Sequence, residues 1–169
     1  MMLQEFFEEN PVCAVAFSGG VDSAVLLSAA AAYGRKTAAY FVRTVFQPGF
    51  ELEDARETAG RLGVELRVLE VDILAVPEVA ANPADRCYYC KRALFTRLLE
   101  EAARDGFPVV LDGGNASDDA GDRPGMRALA ELGIRSPLRE CGIGKIEVRR
   151  MAREAGLSVW DKPSYACLA

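Results

Sequence analysis

The stretch AFSGGVDSAV, residues 16–25, places two adjacent glycines, two serines and an aspartate where an apolar run gives way to a helical pattern. Gly19 and Gly20 carry no Cβ, so neighbouring backbone N–H groups can converge, and the following helix would turn its positive end toward an anion. Ser18 and Ser23 add hydroxyl donors. The chemistry these residues suggest is a phosphate cradle. The loop lacks the length and the lysine of GxxxxGK(S/T), and its adjacent glycines do not fit GxGxxG. It should therefore grip a pyrophosphate through backbone and hydroxyl donors. Asp22 cannot bind an anion directly, so its expected work is to orient the loop or to hold a magnesium ion. The bland alternative is a tight strand-to-helix turn.

A second group of reactive residues consists of thiols. Cys87 and Cys90, in DRCYYCK, are three apart at a predicted helix start, a spacing that lets both face one point where helix geometry favours thiolates. Alone, CxxC fits a redox pair, half of a zinc site or part of an iron–sulfur ligand set. Cys167, in KPSYACLA, lies in a Pro-containing segment that could return to the strand edge. Three thiolates on a [4Fe–4S] cluster leave one iron open to hold a sulfide, whereas zinc would want a fourth ligand from Cys141 or water. Cys13, within an apolar run, and Cys141, before a helix, read as inert thiols.

Composition narrows the setting. The chain has 169 residues, half of them hydrophobic, which fits one domain with a real core. Twenty basic and twenty-five acidic residues leave a net charge of −5, which argues against nucleic acid or an anionic membrane as partner. MMLQEFFEEN reads as a short amphipathic helix, not a signal peptide, and no run approaches the ~18 apolar residues of a membrane span. Five cysteines without an export signal point to a reducing cytoplasm. The chain contains no histidine, so any metal site is built from thiolates and oxygens, and any general base is not imidazole.

The elements that must position these groups alternate. Apolar strand-like runs fall at 12–17, 37–42, 64–71 and 108–112. Between the first two, Val21, Ala24, Val25, Ser28, Ala29 and Ala32 place small residues on one helical face ended by Gly34. Leu52, Ala55, Ala59 and Leu62 mark a second helix ended by Gly63, and residues 87 to about 105 a third ended by Gly106. Shorter helices are expected at 126–132 and 145–155, stopped by Gly133 and Gly156. The pattern predicts an α/β fold, a parallel twisted sheet with helices on both faces and ligands outside the strand carboxyl ends. SGGVDS is the first such end. DGGNASDDAGDRPG, residues 112–125, is the longest loop and follows the fourth strand.

SGGVDS matches the signature of the PP-loop ATP pyrophosphatases, Rossmann-like proteins that the resemblance implies cleave ATP between the α and β phosphates. Together with ELEDARETAGRLGV, NPADRCYYCKRALF, DGGNASDDAGDRPGMRALAELGIRSPL, GKIEVRRMAREAGL and WDKPSYACLA, it makes nearly the whole chain, residues 1–169, resemble LarE-type ATP-dependent sulfur transferases. The resemblance implies adenylation of a pyridinium carboxylate on a mononucleotide and its conversion to a thiocarboxylate, as in making the nickel-pincer nucleotide of lactate racemase. ATP and Mg²⁺ are implied. The sulfur would come from the cysteine matching Cys167 itself or from a [4Fe–4S] cluster on Cys87, Cys90 and Cys167; the presence of all three thiols favours the cluster.

Ser18, Gly19, Gly20, Asp22 and Ser23 are expected to surround the phosphates, with Asp22, Lys91 and Cys167 expected to be catalytic; Lys91, one turn past Cys87, would place an ammonium near the nucleotide or substrate phosphate, the alternative being a solvated helix lysine. Phe41 and Arg43, at the end of the second strand, are expected to border the adenine, and the resemblance implies that Arg123 with Asp118 or Asp119 contacts substrate or magnesium, the alternative being an ordinary charged loop. Trp160 reads as packing. The chain stops two residues after Cys167, where LarE-like chains continue with further acidic and arginine residues. That departure implies a fragment, half of a split system with a separate carboxyl-terminal partner, or reduced activity. A homo-oligomer is also expected.

Two other classes compete. One is a PP-loop enzyme that amidates a carboxylate or thiolates tRNA, the latter needing a basic stripe that this acidic sequence does not show. The other is a cysteine-ligated metal-binding protein whose nucleotide site only regulates docking; pyrophosphate release separates it from an enzyme.

Overall fold

The computed structural model describes residues 1–44, 50–81, 84, 86–118 and 123–160. The four apolar runs become β1 (Val12–Ala16), β2 (Lys36–Arg43), β3 (Glu65–Glu70) and β4 (Val110–Leu111), paired in the order β3-β2-β1-β4 with every pairing parallel. The fourth strand is shorter than its run suggests. Pro108 has no N–H to give a ladder, and only Val110 and Leu111 pair with β1, opposite Ala14 and Val15. Leu111 also bridges to Arg135 in parallel.

The helices are α1 (Leu3–Glu9), α2 (Val21–Tyr33), α3 (Phe50–Leu62), α4 (Pro77–Ala80), α5 (Arg86–Arg104), α6 (Arg123–Glu131), α7 (Pro137–Glu140) and α8 (Lys145–Glu154), with a 3₁₀ turn at Ile73–Ala75. Gly63, Gly106, Gly133 and Gly156, read as helix stops, all take positive φ. The pieces that pattern reading left out, the 3₁₀ turn, α4 and α7, are too short to show a helical period.

Strand alternation sorts the core into two layers. Cys13, Val15, Phe17, Ala39 and Phe41 face one side, where α1, α2, α3 and α8 pack; Ala14, Ala38 and Tyr40 face the other, with Leu98 and Ala102 of α5 and Leu129 of α6. The expected single small-residue face of α2 is incomplete. Leu26, Leu27 and Ala30 are buried too, because α1, α3 and α8 cover the sides of α2 that turn away from the sheet. The amphipathic amino-terminal helix forms as expected and buries Leu3, Phe6 and Phe7, each phenylalanine contributing about 1.5–3 kcal/mol. No described helix is long and apolar enough to cross a membrane.

Candidate active site

The sheet order reverses at β1, which has β2 on one side and β4 on the other. A crevice outside the carboxyl ends of the strands is the expected result at such a point. A cavity of about 400 Å³ opens there, lined by Ser18, Asp22 and Ser23 after β1, Tyr40 and Val42 of β2, Asp112, Gly113, Gly114 and Asp118 after β4, and Lys91, Leu94, Phe95 and Leu98 of α5.

The SGGVDS loop holds its own shape. The Ser18 N–H donates to Ser23 Oγ at 3.2 Å, the two serine hydroxyls lie 3.1 Å apart, and the Gly20 N–H donates to Ser18 Oγ at 3.3 Å. Gly19 takes φ +83°, and a Cβ there would come within 3.2 Å of the Glu51 carbonyl and 3.3 Å of the Ala55 nitrogen of α3. Only glycine allows both the backbone angle and that approach. Gly20 caps α2. The first N–H groups of α2 have no acceptor within the helix, and their alignment gives the site a partial positive charge suited to phosphate.

The β4–α6 loop presses onto that helix start. A Cβ on Gly113 would stand 2.9 Å from Ser23 N and 3.1 Å from Ser23 Cα. Asn115, 1% exposed, follows with an amide that donates from Nδ2 to Asp22 Oδ1 at 3.2 Å while its Oδ1 accepts the Ser117 N–H at 2.8 Å. Asp118 Oδ2 accepts the Asn115 N–H at 2.8 Å and faces Arg139 Nη2 at 3.5 Å. Asp112 is held by the Ser136 hydroxyl and by the Gly114 N–H at 3.3 Å.

Lys145, the first residue of α8, reaches the same carboxylate: its Nζ lies 2.8 Å from Asp22 Oδ2. Sequence reading did not single this lysine out. Its signal is a cation at a helix amino terminus, where the helix dipole disfavours positive charge. Asn115, Ser117 and Arg139 were missed as well, since each acts through partners distant in sequence.

At the far side of the cavity, α5 carries Lys91 with Cys87 and Cys90 on the turn beside it. Cys87 is exposed and Cys90 half-buried. That turn is fastened to α6: the Tyr88 hydroxyl donates to Glu131 Oε2 at 2.5 Å, Arg92 Nη1 donates to the Tyr88 oxygen at 2.9 Å, and the Arg127 guanidinium stacks 4.3 Å from the Tyr88 ring centroid. Cys13 is fully buried, and burial pushes its thiol up to about 11; burial also raises Cys141.

The structure thus brings Ser18, Asp22, Ser23, Lys91 and Asp118 to one cavity and sets the CxxC turn at its edge. The period of β2 turns Tyr40 and Val42 to the cavity, whereas Phe41 is buried in the opposite core layer and Arg43 pairs with Glu70 at 3.7 Å on the surface. Arg123 opens α6. Asp119 and Cys167 lie outside the described residues. Trp160 is 39% exposed; its carbonyl accepts from Arg149 Nη1 at 2.8 Å and the Arg153 guanidinium lies over its ring.

Residues 7–120, from α1 through the SGGVDS loop to the β4–α6 loop, match the family profile of asparagine synthase. The chain belongs to the asparagine synthase family of PP-loop domains. Within this ATP-using superfamily of enzymes, the domain is 39% identical over 171 residues to an uncharacterized protein of Synechocystis, covering 99% of this chain and 63% of that one. It is 36% identical over 150 residues to the pyridinium-3,5-bisthiocarboxylic acid mononucleotide synthase of Lactiplantibacillus plantarum, covering 88% of this chain and 54% of the relative. The chain therefore spans between about half and two thirds of the length of these relatives. The NMN synthetase of Francisella tularensis shares the fold with a TM-score of 0.72 at 18% identity, over 96% of this chain and 72% of that one. The resemblance to LarE-type proteins read from the sequence, and the parallel α/β fold it implied, are borne out.

Two absent groups can be weighed against the residues of this PP-loop domain. Asp22, Asp112 and Asp118 supply hard oxygen donors on the cavity wall, yet no three described His, Cys, Asp or Glu residues form a metal cage. Such hard oxygen donors fit Mg²⁺, which binds through one or two carboxylates together with substrate phosphates. Cys87 and Cys90 share one accessible turn, which fits two of the ligands of a thiolate-bound cluster.

Proposed function

We propose that the chain is the adenylating domain of an ATP-dependent sulfur transferase acting on a carboxylate of a pyridinium mononucleotide. The observation that carries this reading is a cavity lined by Ser18, Asp22 and Ser23 of the SGGVDS loop and by Lys91 of α5, the helix whose first turn bears Cys87 and Cys90. The 36% identity to the pyridinium-3,5-bisthiocarboxylic acid mononucleotide synthase of Lactiplantibacillus plantarum supports this choice of substrate class.

In the proposed reaction, Ser18, Ser23 and the N–H groups opening α2 hold the β and γ phosphates of ATP. A substrate carboxylate oxygen attacks the α phosphorus, the bond from that phosphorus to the bridging oxygen breaks, and pyrophosphate leaves with the electron pair. Donors already aimed at the departing phosphates stabilise the charge as it develops there. Asp22, oriented by Asn115, and Asp118 would hold Mg²⁺, which neutralises phosphate charge. Lys91 places an ammonium at the wall from which substrate would approach. The acyl adenylate is a mixed anhydride. A sulfur nucleophile adds to its carbonyl and expels AMP, leaving a thiocarboxylate after the sulfur is released from its carrier. Cys87, Cys90 and Cys167 would hold a [4Fe–4S] cluster, which when bound supplies an open iron able to carry a sulfide. Without the cluster, Cys167 would be the donor: its thiolate would attack the acyl adenylate and expel AMP, and β-elimination with loss of the Cα proton would then break its Cβ–S bond, the sulfur leaving with the electron pair as the thiocarboxylate and dehydroalanine remaining.

The test is anaerobic purification, assay of iron and acid-labile sulfide, and incubation with ATP and a pyridinium carboxylate mononucleotide. Pyrophosphate release and a thiocarboxylate product are expected. Iron and sulfide near four each per chain mark the cluster; loss of one sulfur from the Cys167 peptide marks the sacrificial cysteine. Pyrophosphate release without any sulfur in the product would overturn the transferase reading. Asp22→Ala should abolish pyrophosphate release.

A further inference from the structure

Lys145 occupies a position that ordinary helix energetics argue against. It is the first residue of α8, where the aligned backbone dipoles present positive charge, and its side chain is only 27% exposed. Among the described residues its ammonium pairs with Asp22, 2.8 Å away. The backbone on which it stands is fixed. The Lys145 N–H donates to Ser117 Oγ at 3.0 Å, and a Cβ on the preceding Gly144 would come within 2.6 Å of that same oxygen. The start of α8 is therefore pressed against the β4–α6 loop, and only the flexible side chain of Lys145 can relocate.

Asp22 is constrained from the other direction. Asn115, whose amide is oriented by the Ser117 N–H, fixes Oδ1, which leaves Oδ2 to the lysine. The other two acids of the cavity wall have partners of their own: Asp118 faces Arg139, and Asp112 is held by Ser136. An ammonium and a divalent cation on one carboxylate oxygen repel each other, so each weakens the other's hold on Asp22. Nucleotide phosphates, arriving at the start of α2 beside Asp22, offer the displaced ammonium a new anion.

We infer that Lys145 is the resident counter-ion of Asp22, displaced by a divalent cation and received by the nucleotide phosphates, so that metal and nucleotide bind together and metal alone binds weakly. The inference rests on the nucleotide-binding part of the function proposed above and is independent of sulfur transfer.

The test is titration of the intact chain with Mn²⁺, read by the paramagnetic resonance of the free ion, with and without α,β-methylene-ATP, which cannot be cleaved at the relevant bond; a protein-free titration of the analogue is subtracted, because its phosphates bind Mn²⁺ by themselves. In the wild type, Mn²⁺ affinity should rise by about 10-fold or more when the analogue is present, within the usual range of coupling between two ligands. In Lys145→Met, Mn²⁺ alone should bind about 10-fold tighter and the analogue with Mn²⁺ about 10-fold weaker, so the coupling shrinks from both sides. Lys145→Arg should restore the weak binding of metal alone. Equal Mn²⁺ affinity in wild type and Lys145→Met, or an undiminished affinity of Lys145→Met for the analogue, overturns the inference. If Lys145→Met does not fold, the wild-type titration still decides: no coupling between Mn²⁺ and analogue refutes it. Absence of sulfur transfer with the coupling intact would strike the proposed function and leave this inference standing.

Discussion

Replacing Gly113 by alanine tests whether the β4–α6 loop shapes the phosphate site by close contact. The added methyl would stand 2.9 Å from Ser23 N, 3.1 Å from Ser23 Cα and 3.3 Å from the Asp22 carbonyl carbon, all backbone atoms. Ordinary van der Waals contact begins at 3.4 Å, so helix start and loop must part by about half an ångström. Overpacking of this kind costs about 1–3 kcal/mol. At this chain length each kcal/mol lowers Tm by roughly 2–4 °C, so a fall of about 2–12 °C is expected in thermal unfolding. The displaced atom is the Ser23 nitrogen, one of the helix-start donors that would meet phosphate. Misplacement of a positioned group by about 1 Å can cost ~10²-fold in rate, so about 10-fold in kcat/KM for ATP-dependent pyrophosphate release is expected here. Gly60→Ala is the internal control, since nothing lies within 4 Å of a Cβ added there. It sits inside α3, where alanine should add about 0.5–1 kcal/mol and leave pyrophosphate release unchanged. The reasoning fails if Gly113→Ala matches the wild type in both Tm and ATP kinetics, or if Gly60→Ala lowers Tm as much as Gly113→Ala does.

Other measurements reach other parts of the molecule. Iodoacetamide at pH 8 should modify the exposed Cys87 long before the buried Cys13. With its thiol at about 11, Cys13 would be ionised to only about one part in a thousand there; equal labelling in a peptide map would contradict this. Asp105 accepts hydrogen bonds from Tyr40 and Arg67, which hold its carboxyl below the usual carboxylate range. A depressed acid contributes stability above its unfolded pKa and loses it as pH falls through its folded one. Asp105→Asn should therefore flatten the fall of Tm below about pH 4, and an unchanged acid limb would show that the group does not contribute.

What the sequence disclosed depended on how local the cause was. Strands β1 and β2 and helices α3, α5 and α8 lie within a few residues of their patterns, because apolar period and a terminal glycine act over short spans. The SGGVDS loop was legible for the same reason: two adjacent glycines between an apolar run and a helical pattern mark a strand-to-helix turn within six residues. Strand β4 was overextended because its run includes Pro108, which has no N–H to give a ladder. Phe41 and Arg43 were placed near the adenine from their position at a strand end. Which of two neighbouring side chains faces the cavity depends on strand phase, and here the cavity receives Tyr40 and Val42. Lys145 and Asn115 carry no local mark of their partnership with Asp22, which exists only once β4 and α8 have been laid beside α2.

That last circumstance bears on when competence arises. Asp22 is clasped by partners 93 and 123 positions later in the chain. Pairings between such remote stretches form late, because the intervening loop must close before they yield anything. A ribosome-bound chain that has emerged only as far as α7 already carries an intact SGGVDS loop, but its aspartate still lacks the ammonium that will steady it. The cavity around Asp22 is thus completed only once α8 has been made, and a ligand bound there would fasten stretches of the polypeptide more than a hundred positions apart in a single grip.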